Sequence, residues 1–408
     1  MSHSSPADLA VLACPGGEVF ADEVIFHLKQ SYHHKFNKTV AILAKKYSMD
    51  AAAVIRHINF LNDASSCAAV ENMPVSRSLR IKIPTRFIMF PNGEIKTEIL
   101  ESIRGKDVYI IQDVENHYPV KFNDGTLNKS LSVNDHLMTV LVTVDAVKQA
   151  GAERITLVVP VYPYSRQHRK KGREGVTATR VGLILEGLGV DRVITLDIHS
   201  REIGNAFNFM RLENLHASYQ ITRQLAKFSE IQEGNFVVVS PDTGAVDRNK
   251  FYATTFKKPL ALLYKERDYS RVTKDAMDNN ISEIRLLGNV KDKTVFMADD
   301  MLGTGGTLLK AMRFLKEQGA GKVICAVSLP MFSEKAIEHF DNAYSEGLFY
   351  RIIGTNAIYQ EELLKREWYI SANITKLFAR TISRLHRGQS LSSLLDNREI
   401  IEKLLAVT

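Results

Sequence analysis

The sequence predicts an α/β fold in which two domains each contain a parallel β-sheet flanked by helices. From about residue 104, short runs of β-branched residues alternate with longer amphipathic stretches, the pattern of successive β-α-β units. The 408 residues exceed one average domain and can bury two cores. With 45% hydrophobic and 24% charged residues, the chain has the composition of a globular protein, which argues against a disordered or fibrous class.

The β-branched runs define the candidate strands of these sheets. A helix is predicted between two of them at Asp135–Gly151, where apolar residues repeat with a period near 3.6. A further helical pattern, Leu308–Gln318, follows a strand and a short turn. The candidate strands are Val108–Gln112, Ile155–Val159, Val193–Leu196, Phe236–Ser240, Leu260–Leu263, Val295–Ala298, Val323–Ser328 and Ile352–Gly354.

The predicted strands divide into two groups near residues 216–232, a helical stretch that ends in a polar segment. Two segments of the first group look inserted: 37–83 holds a helical pattern at Met49–Asn62, and 114–130 is polar with an Asn-Asp-Gly turn signal. Surface elaboration or an oligomer contact is the favoured interpretation of both. The predicted limits are 1–220 for the first domain, 221–378 for the second, and 379–408 for a closing helix and tail.

Composition also bounds the compartment and the ligand class. No apolar run approaches the roughly 18 residues that cross a bilayer, and Asp8 stands where a secretory signal carries basic residues, so we expect a cytoplasmic protein without membrane contact. Cys14, Cys67 and Cys325 are odd in number and too scattered for a disulfide framework or a zinc cluster. The net charge of +7 suits a polyanion, but the lack of a basic block with interleaved aromatic residues argues against nucleic acid.

The strongest local signal for function lies at residues 294–307, where a predicted strand runs into Asp299 and Asp300 and then into a glycine-rich turn. Unpaired amides at the start of the next helix, with the hydroxyls of Thr304 and Thr307, form an anion site. Two carboxylates would repel a phosphate, so they suit hydroxyls or a cation, and a sugar phosphate satisfies both halves. The alternative is a tight turn with an Asp as helix cap. The candidate ligand residues are Asp299, Asp300, Gly303, Thr304, Gly305, Gly306 and Thr307.

This segment closely resembles the phosphoribosyl diphosphate loop of type I phosphoribosyltransferases. The resemblance implies a parallel sheet flanked by helices with the ligand at the strand ends, so each half of the chain is expected to be a phosphoribosyltransferase-like domain. That resemblance alone does not define the reaction. An ordinary phosphoribosyltransferase with a base as acceptor therefore remains one possibility at this point.

Two further segments, Phe90-Pro-Asn-Gly-Glu and Arg166-Gln, resemble the ATP loops of the ribose-phosphate diphosphokinases, also called phosphoribosyl diphosphate synthetases. The implied pairing is chemically sensible, because a Phe ring and an Arg guanidinium can sandwich a purine and Arg also binds phosphate oxygens. The resemblance extends from Phe90 almost to the C terminus. It implies that the Phe90 loop reaches across a subunit interface. Without it, the basic loop Arg166–Lys171 would be equally compatible with a solvated surface. The implied ATP-binding residues are Phe90, Asn92, Glu94, Arg166 and Gln167.

Two motifs, Asp197-Ile-His199 and Ser240-Pro-Asp242, each follow a predicted strand. Asp197 and His199 are two residues apart, so their side chains project the same way if the strand continues. Both motifs resemble segments of the same family, and the resemblance assigns His199 and Asp242 to a Mg²⁺ site. Because Mg²⁺ prefers oxygen ligands, contact of His199 through water stays open. An isolated histidine of this kind is more often a hydrogen-bonded core residue.

The segment Lys265-Glu-Arg267 follows the predicted strand Leu260–Leu263 and begins a polar arm that extends to about Asn280. It resembles the family's Lys-Arg-Arg, whose first and third positions stabilise the transition state. Lys265 and Arg267 are therefore the catalytic candidates. In-line transfer places negative charge on the equatorial oxygens of the transferred phosphorus, and a basic arm can neutralise that charge. As isolated residues they would be solvated side chains.

Three positions depart from the family pattern: Gly303 and His168 stand where Asp is usual, and Glu266 stands where Arg is usual. None of them removes a residue assigned to metal binding or to the transition state. Gly303 deletes a carboxylate and opens volume in the sugar-phosphate loop. Near the C terminus, Arg384-Leu-His and Ser390-Leu-Ser-Ser-Leu resemble the family's closing helix and tail, which pack back on the first domain.

The resemblance thus predicts an ATP- and Mg²⁺-dependent enzyme that transfers a diphosphoryl group to the anomeric hydroxyl of ribose 5-phosphate and releases AMP. A second hypothesis keeps this chemistry but uses a larger acceptor such as ADP-ribose. A third makes the chain a catalytically weak regulatory subunit, which the retention of Lys265, Arg267 and the loop Asp299–Thr307 opposes. Because the Phe90 loop would complete a neighbouring site, a homo-oligomer is expected, either a hexamer or its dimer unit.

Overall fold

The computed structural model describes residues 8–57, 81–170, 172–231, 235–267 and 281–407. Within these ranges the chain forms two large sheets covered by helices, together with two small two-stranded sheets. The strands are β1 Leu9–Ala13, β2 Thr85–Met89, β3 Ile95–Ile99, β4 Asp107–Ile111, β5 Val120–Phe122, β6 Leu127–Lys129, β7 Arg154–Val158, β8 Arg192–Leu196, β9 Arg211–Leu215, β10 Phe236–Ser240, β11 Leu260–Arg267, β12 Ile281–Leu287, β13 Thr294–Leu302, β14 Val323–Pro330, β15 Arg351–Thr355 and β16 Tyr369–Ala372. The α-helices are α1 Glu18–Tyr47, α2 Val133–Gln149, α3 Thr177–Gly187, α4 Ser218–Leu225, α5 Val246–Phe256, α6 Gly306–Glu317, α7 Ala336–Ser345, α8 Glu361–Leu364, α9 Thr375–His386, α10 Ser392–Leu395 and α11 Arg398–Val407.

The first large sheet has the strand order β1-β4-β7-β8-β9, and all its neighbouring strands are parallel. Strand β4 is buried along its whole length. Buried apolar runs of this kind are typical of parallel strands with helices on both faces. The carboxyl ends of these strands meet at one edge of the sheet, and Asp197 follows β8 at that edge.

The second large sheet has the order β12-β11-β10-β13-β14-β15-β16. Its strands are parallel except for β12, which pairs antiparallel with β11. Strands β10, β13 and β14 are adjacent, so their carboxyl ends bring Asp242, Asp300 and Ser328 to one edge of the sheet. Ligands of open α/β sheets bind at this edge, which locates the candidate site.

All eight predicted strands are present, and β10 has the predicted limits Phe236–Ser240. The two predicted helices are present as α2 and α6. Helical backbone at 51–57 covers part of the helix predicted at Met49–Asn62, whose remainder lies outside the described residues. The predicted α/β fold with parallel sheets is confirmed. The sequence pattern misses the edge strands β1, β9, β12 and β16 and the short strands β2, β3, β5 and β6. Strand β9 is largely polar and gives no apolar run, whereas the apolar strand β1 precedes the region from residue 104 in which the alternation is recognised.

The long helix α1 packs against the C-terminal helix α9, and the rings of Phe20 and Phe378 meet edge to face with centroids 5.2 Å apart. Glu23 Oε2 accepts hydrogen bonds from Asn373 Nδ2 at 2.8 Å and Thr375 Oγ1 at 3.1 Å. At the end of α9, the imidazole of His386 lies 2.9 Å from the carboxylate of Asp107 in β4. The C-terminal helix thus contacts the first sheet. The predicted domain limits stay a prediction.

Cys14 and Cys325 are buried free thiols, and Cys67 lies outside the described residues. Buried thiols of this kind behave as small apolar residues. None of the helices in the described ranges is both long and apolar enough to span a membrane.

Candidate sugar-phosphate and nucleotide site

The acidic pair Asp299 and Asp300 lies inside strand β13, which continues to Leu302 through its pairing with β14. The predicted strand end at Ala298 was therefore wrong by four residues, because pairing with a fully buried neighbour extends the strand through polar positions. Asn249 fixes the helix α5 beside this pair. Its Oδ1 accepts from Ala298 N at 2.9 Å, and its Nδ2 donates to Ala298 O at 2.8 Å.

The turn after β13 combines one tightly constrained glycine with one unconstrained glycine. Gly305 caps helix α6 with φ of +76°, and a Cβ there would lie 2.3 Å from the ring of Phe340. At Gly303 a Cβ would meet only Arg166 Nη1, at 3.7 Å. Helix α6 then begins at Gly306, and the first amides of a helix have no intrahelical acceptor. The turn thus has the geometry of an anion site.

His199 joins the first sheet to the acidic pair. Its Nδ1 lies 2.6 Å from Asp300 Oδ2, across 101 residues of sequence. The ring of His168 lies edge-on to the His199 ring, with centroids 5.1 Å apart. Asp242 caps the turn before α5 by accepting a hydrogen bond from Ala245 N at 3.0 Å. The structure therefore brings His199 into direct contact with a residue that we assigned to the sugar phosphate.

A buried network around Asp197 lies directly behind His199. Asp197 has φ of +40° and accepts from His216 Nδ1 at 2.8 Å and from Ser328 Oγ at 2.6 Å, while Arg248 Nη1 lies 3.6 Å away. Burial favours the neutral acid, but the Arg248 cation and the His216 bond outweigh it and hold the pKa of Asp197 below its ordinary value. The network borders a cavity of about 1550 Å³. Sequence reasoning missed His216, Arg248 and Ser328.

The two carboxylates of the pair have opposite pKa shifts. Burial, and then the charge of Asp300 and the charge of Asp242, raise the pKa of Asp299. Burial also acts on Asp300, but the hydrogen bond with His199 and the charge of Arg248 outweigh it and lower its pKa. The described cation Arg248 and the His199 bond thus favour the charged form of Asp300, whereas burial and the neighbouring carboxylates disfavour the charged form of Asp299.

Arg166 lies next to this turn, so the structure brings part of the predicted nucleotide loop to the sugar-phosphate loop. Its side chain is exposed, and among the described residues its guanidinium forms no hydrogen bond or ion pair. Burial raises the pKa of Glu115 to about 7, and the nearby Arg166 cation opposes that shift. Gln167 belongs to the same turn, where its N–H donates to Tyr164 O at 2.8 Å.

Phe90, Asn92 and Glu94 form the tip of the β2–β3 hairpin. The tip is held by its own bonds: Phe90 N donates to Glu94 O at 2.8 Å, and Asn92 Oδ1 accepts from Glu94 N at 3.2 Å. Phe90 is 44% exposed. Among the described contacts, none links this tip to Asp299 or Arg166 of the same chain. The structure thus brings together the other predicted site segments but not this one.

Lys265 and Arg267 lie in β11, which extends four residues beyond its predicted end at Leu263 because it pairs with β12. The register of this pairing shifts between Glu266 and Arg267. The predicted arm beyond Arg267 falls on 268–280, outside the described residues. The structure gives the strand position of Lys265 and Arg267. Their catalytic role stays a prediction.

Comparison with known proteins gives the family. The model of the N-terminal domain of ribose phosphate pyrophosphokinase matches residues 72–189, and that of the phosphoribosyl transferase domain matches residues 210–348. The chain is 36% identical to ribose-phosphate pyrophosphokinase A of Dictyostelium discoideum over 310 residues, which cover 76% of this chain and 88% of that protein. It is 33% identical to ribose-phosphate pyrophosphokinase 3 of Saccharomyces cerevisiae, over 75% of this chain and 88% of that protein. The crystal structure of phosphoribosylpyrophosphate synthetase from Mycobacterium smegmatis matches with a TM-score of 0.68 and 26% identity, covering 93% of this chain and 99% of that one.

The parallel sheet with an acidic strand end and a glycine turn at a helix start defines the class as phosphoribosyltransferase-like. The chain belongs to the ribose-phosphate pyrophosphokinase family, because relatives more than 30% identical match it along most of their length. The predicted family is confirmed, and the matched region begins at residue 72, upstream of Phe90. The roles of the individual site residues stay predictions.

The geometry at Gly305 generates a prediction about stability. Gly305→Ala adds strain at a positive φ and places a Cβ against Phe340, so we expect it to lower the free energy of unfolding by about 2–4 kcal/mol. Gly347→Ala is the matched control, since Gly347 has φ of +70° with no atom within 4 Å of its added Cβ; it should cost about 1 kcal/mol. Denaturant unfolding measures both, and equal losses would contradict the contact with Phe340.

Proposed function

We propose that this protein is a ribose-phosphate diphosphokinase, which transfers the diphosphoryl group of ATP to the anomeric hydroxyl of ribose 5-phosphate and forms phosphoribosyl diphosphate and AMP. The observation that carries the proposal is the acidic pair of β13, placed directly before a glycine turn and helix start and held by His199 from the other sheet. Membership of the family supports the same reaction. We assign the reaction to the cytoplasm, as the sequence predicts.

In this proposal the turn after β13 binds the acceptor. The amides at the start of α6, with the hydroxyls of Thr304 and Thr307, bind the 5′-phosphate, because helix starts attract anions. Asp299 and Asp300 orient the ribose hydroxyls or a cation. Gly305 allows the positive φ of this turn and its close packing on Phe340, since a side chain there would meet that ring. The acceptor is thereby held with its anomeric hydroxyl directed away from the phosphate turn.

Arg166 and Gln167 bind the ATP polyphosphate in this proposal. Arg166 is suited to this role because its guanidinium is exposed beside Gly303 and forms no hydrogen bond or ion pair with the described residues. Arginine binds phosphate oxygens with two parallel hydrogen bonds. ATP would thus lie against the acceptor, with its β-phosphorus next to the anomeric hydroxyl.

Mg²⁺ fits the residues present. Burial, and then the charges of Asp300 and Asp242, raise the pKa of Asp299, and a cation beside these carboxylates would stabilise their charged forms. Among the described residues, no group of three or more His, Cys, Asp or Glu side chains is arranged to hold a metal by itself. His199 and Asp242 would hold it, His199 directly or through water. When bound, the ion neutralises charge on the phosphates and polarises the transferred phosphorus.

Lys265 and Arg267 act in the transition state in this proposal. The transferred phosphorus gains negative charge on its equatorial oxygens as the anomeric oxygen attacks and AMP leaves. Cations placed there stabilise the transition state more than the bound substrates. This separates their contribution from that of Arg166, which acts on bound ATP.

The first test concerns these two cations. We expect Lys265→Ala and Arg267→Ala each to lower kcat for AMP formation about a hundredfold or more while ATP binding stays within a few fold of wild type. Lys376→Ala and Arg380→Ala, which remove exposed cations from α9, serve as matched controls and should keep full activity. Wild-type turnover in the Lys265→Ala, Arg267→Ala double variant would overturn the assignment.

The exposed hairpin tip supports a homo-oligomeric site. Because Phe90, Asn92 and Glu94 form no described contact with the acidic pair of their own chain, we propose that they complete the nucleotide site of a neighbouring copy. Phe90→Ala and the Lys265→Ala, Arg267→Ala double variant should each be inactive alone but active when co-expressed, since mixed oligomers contain intact sites. Light scattering should find an oligomer during turnover. Inactive mixed oligomers, or a fully active monomer, would contradict shared sites.

A second acceptor class is favoured by one observation, the open position at Gly303 beside the exposed Arg166. A ribose 5-phosphate that bears a further phosphate, such as ADP-ribose, could place that phosphate there. We expect wild type to prefer ribose 5-phosphate as acceptor. Gly303→Asp should change kcat/KM for ribose 5-phosphate by less than about tenfold, because the added carboxylate forms only an exposed, weak ion pair with Arg166. Measuring kcat/KM for both acceptors decides between them. Efficient use of ADP-ribose that Gly303→Asp abolishes would establish the larger acceptor.

A further inference from the structure

Residues 114–130, which we call the brace, connect the nucleotide hairpin to the second sheet. The sequence favours surface elaboration or an oligomer contact for this segment. The structure gives it specific contacts at both ends. We propose that the brace holds the hairpin tip Phe90–Glu94 in its binding orientation and that Asn123 is a positioning residue for ATP. This inference rests on the proposed function, since it assigns the tip to the nucleotide.

The main contact of the brace with the hairpin is a pair of hydrogen bonds from one amide side chain. Asn123 Oδ1 accepts from Met89 N at 2.9 Å, and Asn123 Nδ2 donates to Met89 O at 3.2 Å. Met89 is the last residue of β2 and directly precedes Phe90. Both backbone groups of the residue before the tip are therefore fixed by a side chain of the brace.

A small apolar core reinforces this contact. Met89 of the hairpin is buried together with Val120 and Phe122 of the brace and with Leu131 directly after it, and Phe122 is 1% exposed. Its buried residues are distinct from those of the two large cores, and Phe87 of β2 packs against both this core and the first large one. Burying one such side chain contributes about 1.5–3 kcal/mol, so the core can hold the hairpin and the brace together as a unit.

The turn that presents Asn123 is unusual. Asn123, Asp124 and Gly125 have φ of +52°, +54° and +90°, three successive left-handed residues. Asn, Asp and Gly are the residue types that adopt this conformation most readily. Thr126 closes the turn, because its N–H and Oγ1–H both donate to Asn123 O, at 3.2 and 2.8 Å. The sequence Asn-Asp-Gly-Thr thus directs the amide of Asn123 at Met89.

The other end of the brace is attached to the second sheet. The rings of Tyr118 and Tyr359 meet edge to face with centroids 5.0 Å apart, and Tyr118 Oη accepts from Glu362 N at 3.2 Å. Just before the brace, Asp113 Oδ2 accepts from Tyr359 N at 2.8 Å. The brace therefore connects the loop after β15 to the base of the nucleotide tip.

These contacts matter because an isolated two-stranded hairpin is marginally stable in water. The strand β3 packs against α2, where Thr97 and Thr143 share a hydrogen bond of 3.0 Å. The brace secures the other strand at the residue adjoining the tip. Without Asn123 the tip would have to be ordered when ATP binds, and that ordering weakens binding without altering the chemical step.

Asn123→Gly tests the proposal, because glycine keeps the left-handed backbone while removing the amide. We expect the KM for ATP to rise about fivefold to twentyfold, with kcat and the KM for ribose 5-phosphate within about twofold of wild type. Asn128→Gly is the matched control: it makes the same change in the same brace, at an exposed side chain of β6. Thermal unfolding should show both variants folded.

Hydrogen exchange followed by mass spectrometry gives a readout that does not depend on turnover. Peptides covering 90–94 should exchange about tenfold faster in Asn123→Gly than in wild type or Asn128→Gly. If hydrogen exchange at 90–94 is unchanged in Asn123→Gly, or if its KM values for ATP and ribose 5-phosphate rise equally, the proposal that the brace positions the hairpin tip is wrong. Absence of AMP formation by wild type would instead overturn the proposed function and leave the exchange result to decide whether the brace orders the tip.

Discussion

The buried carboxylate of Asp197 is the point on which the two sheets and the candidate site depend. It accepts hydrogen bonds from His216 beside the first sheet and from Ser328 in the second, and Arg248 lies 3.6 Å away. A buried carboxylate without such partners costs several kcal/mol. Because the partners come from both sheets, the charge is stabilised only when the sheets adopt this arrangement. His199, two residues further along, then reaches Asp300 as a consequence.

The two sheets contribute different charged groups to the region around Asp197 and Asp300. The first supplies an imidazole and, through the Arg166 turn, a guanidinium, whereas the second supplies carboxylates and the helix start of α6. Burial, and then the neighbouring carboxylates Asp300 and Asp242, raise the pKa of Asp299.

The sequence predicts the interior of the fold better than its periphery. The strand Phe236–Ser240 is buried at every residue, so its apolar run marks both ends correctly. Strand β9 escapes prediction because its exposed edge accepts charged residues. Strand β13 is longer than predicted, since Asp299 and Asp300 look like loop residues although strand pairing includes them. The local sequence pattern reflects the propensity of each segment to form a strand. The limits of β9 and β13 depend instead on pairing with strands that are distant in sequence.

The same limit applies to the site. The phosphate turn is local, so its glycines and carboxylates are visible as a motif, and the structure keeps them together. The hydrogen-bond network of Asp197 contains residues up to 131 positions apart in sequence. The local sequence around Ser328 contains no motif that predicts its contact with Asp197. Arg248 lies six residues after Asp242 but appears in the sequence as an ordinary helical cation. Its role follows only from the approach of its guanidinium to Asp197, which follows strand β8 of the first sheet.

The packing of α9 on α1 has a consequence for biosynthesis. Phe378 and His386 are translated more than 270 residues after their partners Phe20 and Asp107. During synthesis the face of α1 around Phe20 therefore remains uncovered on the ribosome until the C-terminal helix emerges. At roughly 5–20 residues per second this delay lasts about 15–70 seconds. The nascent first half thus exposes apolar surface for long enough to make chaperone protection during translation valuable.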